Sequence, residues 1–271
     1  MTIAEHNKSP VCLTIAGLDP SGGAGIIADI RTFSGFGCFA AAAISSVTFQ
    51  NTVGVFGAVH QTAESVRRQV EPVIEDYTVA ALKTGMLPTA EIIEEVTRLI
   101  NVNALRNVVV DPVVRSTSGF DLIDDAALKI LIDLLFPLAD LVTPNIPEAE
   151  RITGQSICSE SDIIRAGEIM RSMGAKNVLI KGGHLQVQSP KSKAHSATDY
   201  LFIGSEMHVF ESDFIETTAT HGTGCVLSSA ITANLALGKN LIEAVSLAKN
   251  FVTEAIRTAP GIGHGHSPIN I

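Results

Sequence analysis

The order of apolar runs, glycine-rich loops and helical patterns constrains the fold of this chain most strongly. Residues 11–16 form a short apolar run, the glycine-rich loop 17–25 follows it, and apolar residues recur at helical spacing over 26–33. The same succession returns along the chain, so strands and helices alternate. Such alternation, with strands that are apolar almost throughout, predicts an α/β fold in which helices cover both faces of a mostly parallel sheet.

The rest of the sequence predicts one hairpin, further strands and helices, and a single domain. Residues 197–202 and 207–210 flank Gly204 and Ser205, which predicts an antiparallel hairpin. Because neither an internal repeat nor a change in composition divides the sequence, we expect one domain over residues 1–271, with a flexible N-terminus at 1–10. The other predicted strands are 40–47, 79–83, 107–110, 140–142 and 177–180, the later helices are 62–76, 88–100, 124–136, 159–173, 223–237 and 241–258, and the polar segment 186–194 is either a lid or a solvated loop.

The composition suits an enzyme with an aliphatic core and argues against several other functions. Apolar residues make up 46% and charged residues 17% of the 271 positions, tryptophan is absent, and the net charge is −9. This negative charge argues against binding to nucleic acid or to a membrane surface. The four cysteines show no CxxC spacing, and we find neither a signal peptide nor an apolar run of membrane-spanning length, so we expect a cytoplasmic protein.

The hexapeptide 220–225 (THGTGC) precedes an apolar run, which predicts a glycine-rich turn at the start of a buried helix. Such a turn directs free N–H groups and the positive end of the helix dipole at one point, which suits a phosphate. Cys225 falls in the first turn, where a thiolate is stabilised. Taken alone, the hexapeptide is explained equally well by a tight loop before a core helix, with an inert buried cysteine.

Polar side chains follow several of the predicted strands directly. Asp19, Asp111 and Lys181 each come after a strand, and Asn145 and Glu148 follow the strand 140–142. Parallel strands present functional groups at their carboxyl ends, so we expect these side chains and two glycine loops in one crevice. Each has a simpler explanation. Asp111 could cap a turn and Lys181 could be an exposed loop residue, while Asn145 and Glu148 could begin a short helix.

A glycine-rich helix start, a lysine and carboxylates that hold Mg²⁺ are the parts that phosphoryl transfer requires. The sequence contains neither the phosphate loop G-x-x-x-x-G-K-[ST] nor the glycine loop and HRD segment of protein kinases. Residues 21–25 also lack the G-x-G-x-x-G spacing of a dinucleotide site. The residues therefore indicate an α/β enzyme that handles phosphate, and a small-molecule kinase fits them best.

Eight motifs occur along the chain in a fixed order. They are AGLDPSGGAG (16–25), TFQNT (48–52), KTGML (83–87), DPV (111–113), TPNIPEA (143–149), KGGH (181–184), HGTGC (221–225) and GHGHSP (263–268). Together they closely resemble the hydroxymethylpyrimidine/phosphomethylpyrimidine kinases of thiamine biosynthesis. The resemblance implies a ribokinase-like three-layer fold and two ATP-dependent phosphorylations, first of the pyrimidine hydroxymethyl group and then of the monophosphate. It also implies Mg²⁺ as cofactor and a homodimer.

The resemblance further implies roles for individual residues. Gln50 would hydrogen-bond the edge of the aminopyrimidine. Asp111, Asn145 and Glu148 would organise Mg²⁺ and the phosphates, with Asp111 and Glu148 on the metal. Lys181 would contact a phosphate of ATP. The anion hole would consist of Gly222, Thr223 and Gly224, and the substrate pocket would also include Gly17, Asp19, Ala24, Met86 and Val113.

Cys225 and Thr117 differ from the residues that related kinases carry at the same positions. Cys225 stands where ribokinase-like sugar kinases have an aspartate base. An unperturbed thiol has a pKa of about 8.5, and a helix N-terminus lowers this pKa toward neutrality, so we expect Cys225 to activate or position the substrate hydroxyl. Thr117 stands where the family usually has a lysine. Either Arg115 supplies that positive charge or the contact is absent, which bears on the second phosphorylation.

Two other functions stay open at this point. Pyridoxal/pyridoxine kinase is the main alternative, because its substrate is also a heteroaromatic ring that carries a hydroxymethyl group. A catalytically silent relative that binds thiamine intermediates belongs to a different class, and the intact loops, lysine and carboxylates argue against it. Relative turnover of the two substrates, and transfer of phosphate from Mg·ATP, would distinguish the three functions.

Overall fold

The computed structural model describes residues 9–115, 119, 121–183 and 196–271. Most of the N-terminus that we predict to be flexible (1–10) lies outside these residues. Thr117 and the candidate lid 186–194 lie outside them altogether. In the part of the chain that is described, none of the helices has the length and apolar character that crossing a membrane requires.

One mixed sheet forms the centre of the described structure. Its strands are β1 Val11–Leu18, β2 Phe39–Gln50, β3 Val55–His60, β4 Val79–Thr84, β5 Val108–Val110, β6 Leu141–Val142, β7 Asn177–Lys181, β8 Ser196–Ile203 and β9 Glu206–Asp213. Their spatial order is β3-β2-β1-β4-β5-β6-β7-β8-β9. β1, β2 and β4–β7 are parallel, whereas β3, β8 and β9 pair antiparallel at the two edges.

Helices cover both faces of the sheet because the central strands are apolar on both. Val108 and Val110 face one cluster of buried side chains, and Val109 between them faces the other, as the two-residue period of a strand requires. The first cluster includes side chains from α2 Ala63–Asp76, α3 Ala90–Val102, α4 Asp125–Ile130, α5 Ile146–Thr153 and α6 Glu160–Ser172; the second includes side chains from α1 Gly25–Gly35, α7 Thr223–Ala236 and α8 Leu241–Arg257. The predicted three-layer α/β architecture is confirmed.

Three elements differ from the predictions. The helix predicted over 124–136 is α only to Ile130, then has one π turn and one 3₁₀ turn, which ends at Leu138. Pro137 lacks the N–H that an α-helix would need there. β2 runs to Gln50, beyond the predicted end at residue 47, because it continues beside β3, a strand that the sequence patterns did not predict.

Candidate active site

A cleft lies beyond the carboxyl ends of the parallel strands. Two glycine loops form much of its wall: loop 17–25, which joins β1 to α1, and loop 220–225, which leads into α7. All the predicted site residues line this cleft, namely Gly17, Asp19, Ala24, Gln50, Met86, Asp111, Val113, Asn145, Glu148, Lys181, Gly222, Thr223, Gly224 and Cys225. The expectation that side chains at several strand ends meet in one crevice is therefore confirmed.

Loop 220–225 presents the N-terminus of α7 to the cleft. Gly222 is the residue before the helix and has φ of +81°, a left-handed backbone that favours glycine. A Cβ on Gly222 would also lie 1.8 Å from the carbonyl oxygen of Gly23, so the two glycine loops meet there without side chains. Among the described residues, no side chain caps α7 by a hydrogen bond. The Thr223 N–H donates to the Thr220 carbonyl at 3.4 Å, and the next N–H groups of the first turn, which have no partner within the helix, are available to an anion.

Lys181 ends β7 and forms a buried ion pair with Asp111, which follows β5. Its Nζ lies 2.8 Å from Asp111 Oδ1, and a Cβ on Gly224 would lie 3.1 Å from the same Nζ. Burial opposes the charge on Lys181, but Asp111 and Glu148 outweigh it, and the pKa of Lys181 is raised. The explanation that Lys181 is an exposed loop residue is therefore wrong. The structure holds a fixed ammonium group against the anion loop.

Asp111 keeps its negative charge in spite of being buried. Burial favours the neutral carboxyl, but Lys181 and Lys83 outweigh it and lower the pKa of Asp111. Thr143 Oγ1 donates to Asp111 Oδ1 at 3.0 Å, and Ser228 Oγ donates to Oδ2 at 3.2 Å. The carboxylate is therefore held by two hydroxyls and one ammonium at the bottom of the cleft.

Asn145 and Glu148 begin α5, as the simpler explanation of these residues predicted, and they line the cleft as well. The Asn145 side chain accepts a hydrogen bond from the Glu148 N–H at 2.9 Å, and Glu148 Oε2 accepts one from the Asn145 N–H at 2.8 Å. This capping box fixes both side chains. Burial, only partly offset by Lys181, raises the pKa of Glu148 to about 7.

The donor set suits a magnesium ion that phosphate groups complete. Mg²⁺ prefers oxygen ligands and is usually held by one or two carboxylates together with substrate phosphates and water. Asp111 and Glu148 provide two buried carboxylates in the same cleft. In the described residues, no group of three or more histidine, cysteine, aspartate or glutamate side chains is placed to hold a metal alone. A cation between the two carboxylates would favour the ionised form of Glu148.

Cys225 lies in the first turn of α7, as predicted, but its thiol is not activated. Burial raises the pKa of Cys225 to about 11, although the nearby Lys83 acts in the opposite direction. The expectation that the helix N-terminus lowers this pKa toward neutrality is therefore wrong, because removal of the thiolate from water outweighs the favourable field. At neutral pH the side chain is a thiol, which can position a hydroxyl but is a poor base.

Lys83, a fully buried lysine in β4, also lines the cleft, although no role was predicted for it from the sequence. Lys83 Nζ lies 2.8 and 2.9 Å from the two carboxylate oxygens of Asp29 in α1. Thr14 and Ser229 donate to the same carboxylate, each at 2.6 Å. Asp29 outweighs the effect of burial and raises the pKa of Lys83. A lysine inside an otherwise apolar strand was the sequence signal for this pair.

A second buried pair lies beside the Lys181 loop. Lys249 Nζ in α8 lies 2.7 Å from Asp199 Oδ2 in β8, and Asp199 Oδ1 accepts a hydrogen bond from the Gly182 N–H at 3.1 Å. Both side chains line the cleft. The sequence offered little signal for this pair, because the two residues lie in different elements and outside the recognised motifs.

Asp19 organises loop 17–25 from within. Its Oδ1 accepts from the N–H and the hydroxyl of Ser21, at 2.8 and 2.7 Å, and its Oδ2 accepts from the Ala24 N–H at 2.9 Å. His221 Nε2 lies 2.7 Å from the same Oδ2. Burial opposes the charge on Asp19, but these hydrogen bonds outweigh it and lower the pKa of Asp19. His221 was not among the predicted site residues, although it stands inside the HGTGC motif.

Comparisons with known proteins agree with this geometry. The phosphomethylpyrimidine kinase family model matches residues 19–270. A hydroxymethylpyrimidine/phosphomethylpyrimidine kinase of Bacillus subtilis is 45% identical over 258 residues, which are 95% of this chain and 93% of that protein.

Solved structures give the same result. A phosphomethylpyrimidine kinase from Clostridium difficile superimposes with a TM-score of 0.79 at 42% identity, covering 92% of this chain and all of the other. An ADP complex of Bacillus subtilis pyridoxal kinase superimposes with a TM-score of 0.87 at 34% identity, covering 97% of each chain. The ribokinase-like fold is thereby confirmed. With a family model that spans most of its length and relatives above 40% identity, this chain belongs to the phosphomethylpyrimidine kinase family.

Proposed function

We propose that this kinase transfers the γ-phosphoryl group of ATP to the hydroxymethyl group of 4-amino-5-hydroxymethyl-2-methylpyrimidine, and then a second phosphoryl group to the monophosphate, in thiamine biosynthesis. The observation that carries the proposal is the cleft in which Lys181, Asp111 and the N-terminus of α7 converge beside Gln50. This arrangement provides an anion site and an acceptor pocket in one cavity.

The chain's own groups suit phosphoryl transfer. The N–H groups around Gly222, Thr223 and Gly224 would receive the charge that develops on the transferred group, and they need no reorganisation because α7 fixes them. The Lys181 ammonium, held by Asp111, would align a phosphate of ATP against the same point. Cys225, as a neutral thiol at the start of α7, would position the acceptor hydroxyl.

Magnesium is part of this proposal. Asp111 and Glu148 would hold it, with Asn145 beside them at the start of α5. When bound, Mg²⁺ supplies positive charge that neutralises the phosphate oxygens during transfer. The role of the chain is to keep the two carboxylates buried and fixed, through the capping box at Glu148 and the hydroxyls at Asp111.

The second phosphorylation requires a group that accepts the phosphate of the monophosphate. Two arginines line the cleft near the end of β5: Arg115, which pairs with Asp121 at 2.7 Å, and Arg151, which pairs with Asp125 at 2.8 Å. Their positive charge supports a monophosphate substrate in spite of Thr117 at the place of the family lysine. We assign that contact to Arg115 first, because it stands two residues before Thr117 in the sequence.

Pyridoxal kinase activity is the second candidate function. The observation that favours it is the close superposition on the Bacillus subtilis pyridoxal kinase, which has a higher TM-score than the phosphomethylpyrimidine kinase of Clostridium difficile. Sequence identity favours the pyrimidine, with 45% to the Bacillus subtilis pyrimidine kinase against 34% to the pyridoxal kinase of that organism. Gln50, with an amide that matches an aminopyrimidine edge, supports the same choice.

A comparison of substrates tests this choice. We expect kcat/KM for the hydroxymethylpyrimidine to exceed that for pyridoxal, because only the aminopyrimidine presents an exocyclic amine to Gln50. Gln50→Ala should then reduce kcat/KM for the pyrimidine more than for pyridoxal. A higher kcat/KM for pyridoxal in the wild-type enzyme would contradict the proposed substrate.

We also propose a homodimer that works in the cytoplasm. Supporting the dimer, apolar side chains are exposed along the β2–β3 edge of the sheet, where Phe56 and Val59 are 68% and 54% accessible. Exposed apolar residues that cluster at a sheet edge are typical of an interface. All four cysteines are free, which suits a reducing compartment.

A further inference from the structure

The two glycine loops of the cleft are joined by one buried side-chain contact. His221 Nε2 lies 2.7 Å from Asp19 Oδ2, and the exposed fractions of the two side chains are 11% and 3%. His221 belongs to the anion loop 220–225, whereas Asp19 holds loop 17–25 through hydrogen bonds to Ser21 and Ala24. Each loop is therefore fixed to the other through this pair.

The backbones of the two loops pack closely around this contact. A Cβ on Gly23 would lie 2.2 Å from His221 Cδ2, and a Cβ on Gly222 would lie 1.8 Å from the Gly23 carbonyl oxygen. The loops therefore pack directly, and a shift of one displaces the other. The backbone N–H of His221 also donates to the Ser267 carbonyl at 3.3 Å, which fixes the anion loop on the C-terminal segment.

The same histidine contacts the predicted pyrimidine-binding side chain. Gln50 Nε2 lies 3.4 Å from His221 Nε2, in van der Waals contact, because the His221 Nε2–H donates to Asp19 and cannot accept from Gln50. Gln50 Oε1 accepts from Thr48 Oγ1 at 3.0 Å. His221 thus stands between Gln50, which would bind the acceptor ring, and the N–H groups that would bind the transferred phosphate. A ring that engages Gln50 must act on His221, and through it on both loops.

We infer that the His221–Asp19 pair is a positioning device that couples binding of the acceptor ring at Gln50 to the order of the anion loop, and so to binding of the nucleotide phosphates. His221 touches neither the transferred group nor the nucleotide in this role. This inference rests on the proposed function, because it requires both ligands to occupy the one cleft. It predicts that each ligand strengthens binding of the other, by the reciprocity of linked equilibria.

Calorimetric titration tests the coupling. The Kd of AMP-PCP is measured with and without saturating hydroxymethylpyrimidine, and we expect the pyrimidine to tighten nucleotide binding by about tenfold in the wild-type protein, within the usual range for coupled sites. In His221→Ala the enhancement should disappear, so that the Kd of AMP-PCP is the same with and without the pyrimidine. Asp19→Asn, which replaces one of the two acceptor oxygens by an amide donor, should also lose the enhancement and serves if His221→Ala does not fold.

His266→Ala is the matched control. His266 is an exposed histidine whose Nδ1 lies 3.1 Å from Thr220 Oγ1, on the residue directly before His221, and this variant should keep the full enhancement. If His221 had only a structural role, His221→Ala would weaken the binding of each ligand measured alone, and the pyrimidine would still lower the Kd of AMP-PCP by the same factor as in the wild type.

The outcomes separate this inference from the proposed function. Undiminished enhancement in folded His221→Ala overturns the inference, and so does a wild-type protein that binds both ligands independently. A wild-type protein that binds the nucleotide but not the pyrimidine overturns the proposed substrate instead.

Discussion

Lys181 carries the positive charge that faces the anion loop most directly. We expect Lys181→Met to lower kcat by a factor of about 10²–10³, because one fixed group that stabilises transition-state charge contributes about that much. The measurement is steady-state kinetics with ATP as the varied substrate. Lys176→Met removes a lysine that is 69% exposed and paired with Asp140 at the surface, and it should leave kcat nearly unchanged. Equal activity of the two variants would refute the assigned role of Lys181.

Cys225 gives a second test at the residue scale. Because its pKa is raised to about 11, alkylation by iodoacetamide at pH 7 should be slow and should accelerate steadily as the pH rises toward that value. Peptide mass spectrometry distinguishes it from the exposed Cys158, which should react first at pH 7. Rapid labelling of Cys225 at pH 7, levelling off near neutrality, would show an activated thiolate and restore the base role.

The residue scale also shows what the sequence could and could not reveal. Asp111 and Lys181 were predictable because each follows an apolar strand, and strand ends converge. The raised pKa of Cys225 was not predictable. A glycine-rich helix start indicates a favourable electrostatic field for a thiolate, but it does not reveal how far the thiol is removed from water. His221 and Lys83 stood inside recognised motifs, yet the pairing of His221 with Asp19, and of Lys83 with Asp29 in α1, became evident only in three dimensions.

At the scale of elements, α7 and its preceding loop form the anion site. Gly222→Ala should lose at least 100-fold in kcat, about the effect of one oxyanion-hole donor, because the new Cβ meets the Gly23 carbonyl and displaces the loop. The positive φ should also lower the free energy of unfolding of this variant by about 1–3 kcal/mol, because alanine is strained there. Kinetics and urea denaturation measure the two effects.

Gly238, just beyond the other end of α7, provides the matched control. Its φ is +82°, and a Cβ there would meet nothing within 4 Å. Gly238→Ala should therefore show a similar loss of stability with activity retained. A similar loss of activity in both variants would mean that strain alone, and not the anion loop, limits the reaction.

Strands and helices with a clear apolar pattern and clear turn residues were predicted correctly, and those without them were not. The parallel strands and the hairpin β8–β9 were predicted, because apolar runs and a Gly-Ser turn mark them. β3 was missed because its apolar residues are largely exposed and pair only with β2. The end of the predicted helix 124–136 was wrong, since an apolar period does not distinguish an α turn from a π or 3₁₀ turn.

At the scale of the whole molecule, the exposed β2–β3 edge is the surface that we propose for the dimer. Phe56→Ser should shift the protein toward monomer in sedimentation experiments, because it removes apolar area that the partner would bury. Val102→Ser changes a residue of equal exposure, 69% against 68%, at the end of α3 and should leave the dimer intact. A wild-type protein that sediments as a monomer at all concentrations would contradict the dimer.

In the described residues one continuous sheet runs from β3 to β9, and one domain over residues 1–271 stays a prediction. We propose that the cleft performs two successive transfers to a pyrimidine. The most direct test is mass spectrometry of products after incubation with Mg·ATP and either the hydroxymethylpyrimidine, its monophosphate or pyridoxal. We predict the monophosphate and then the diphosphate from the pyrimidine. Phosphorylation of pyridoxal alone, or no transfer to the pyrimidine, would contradict the account.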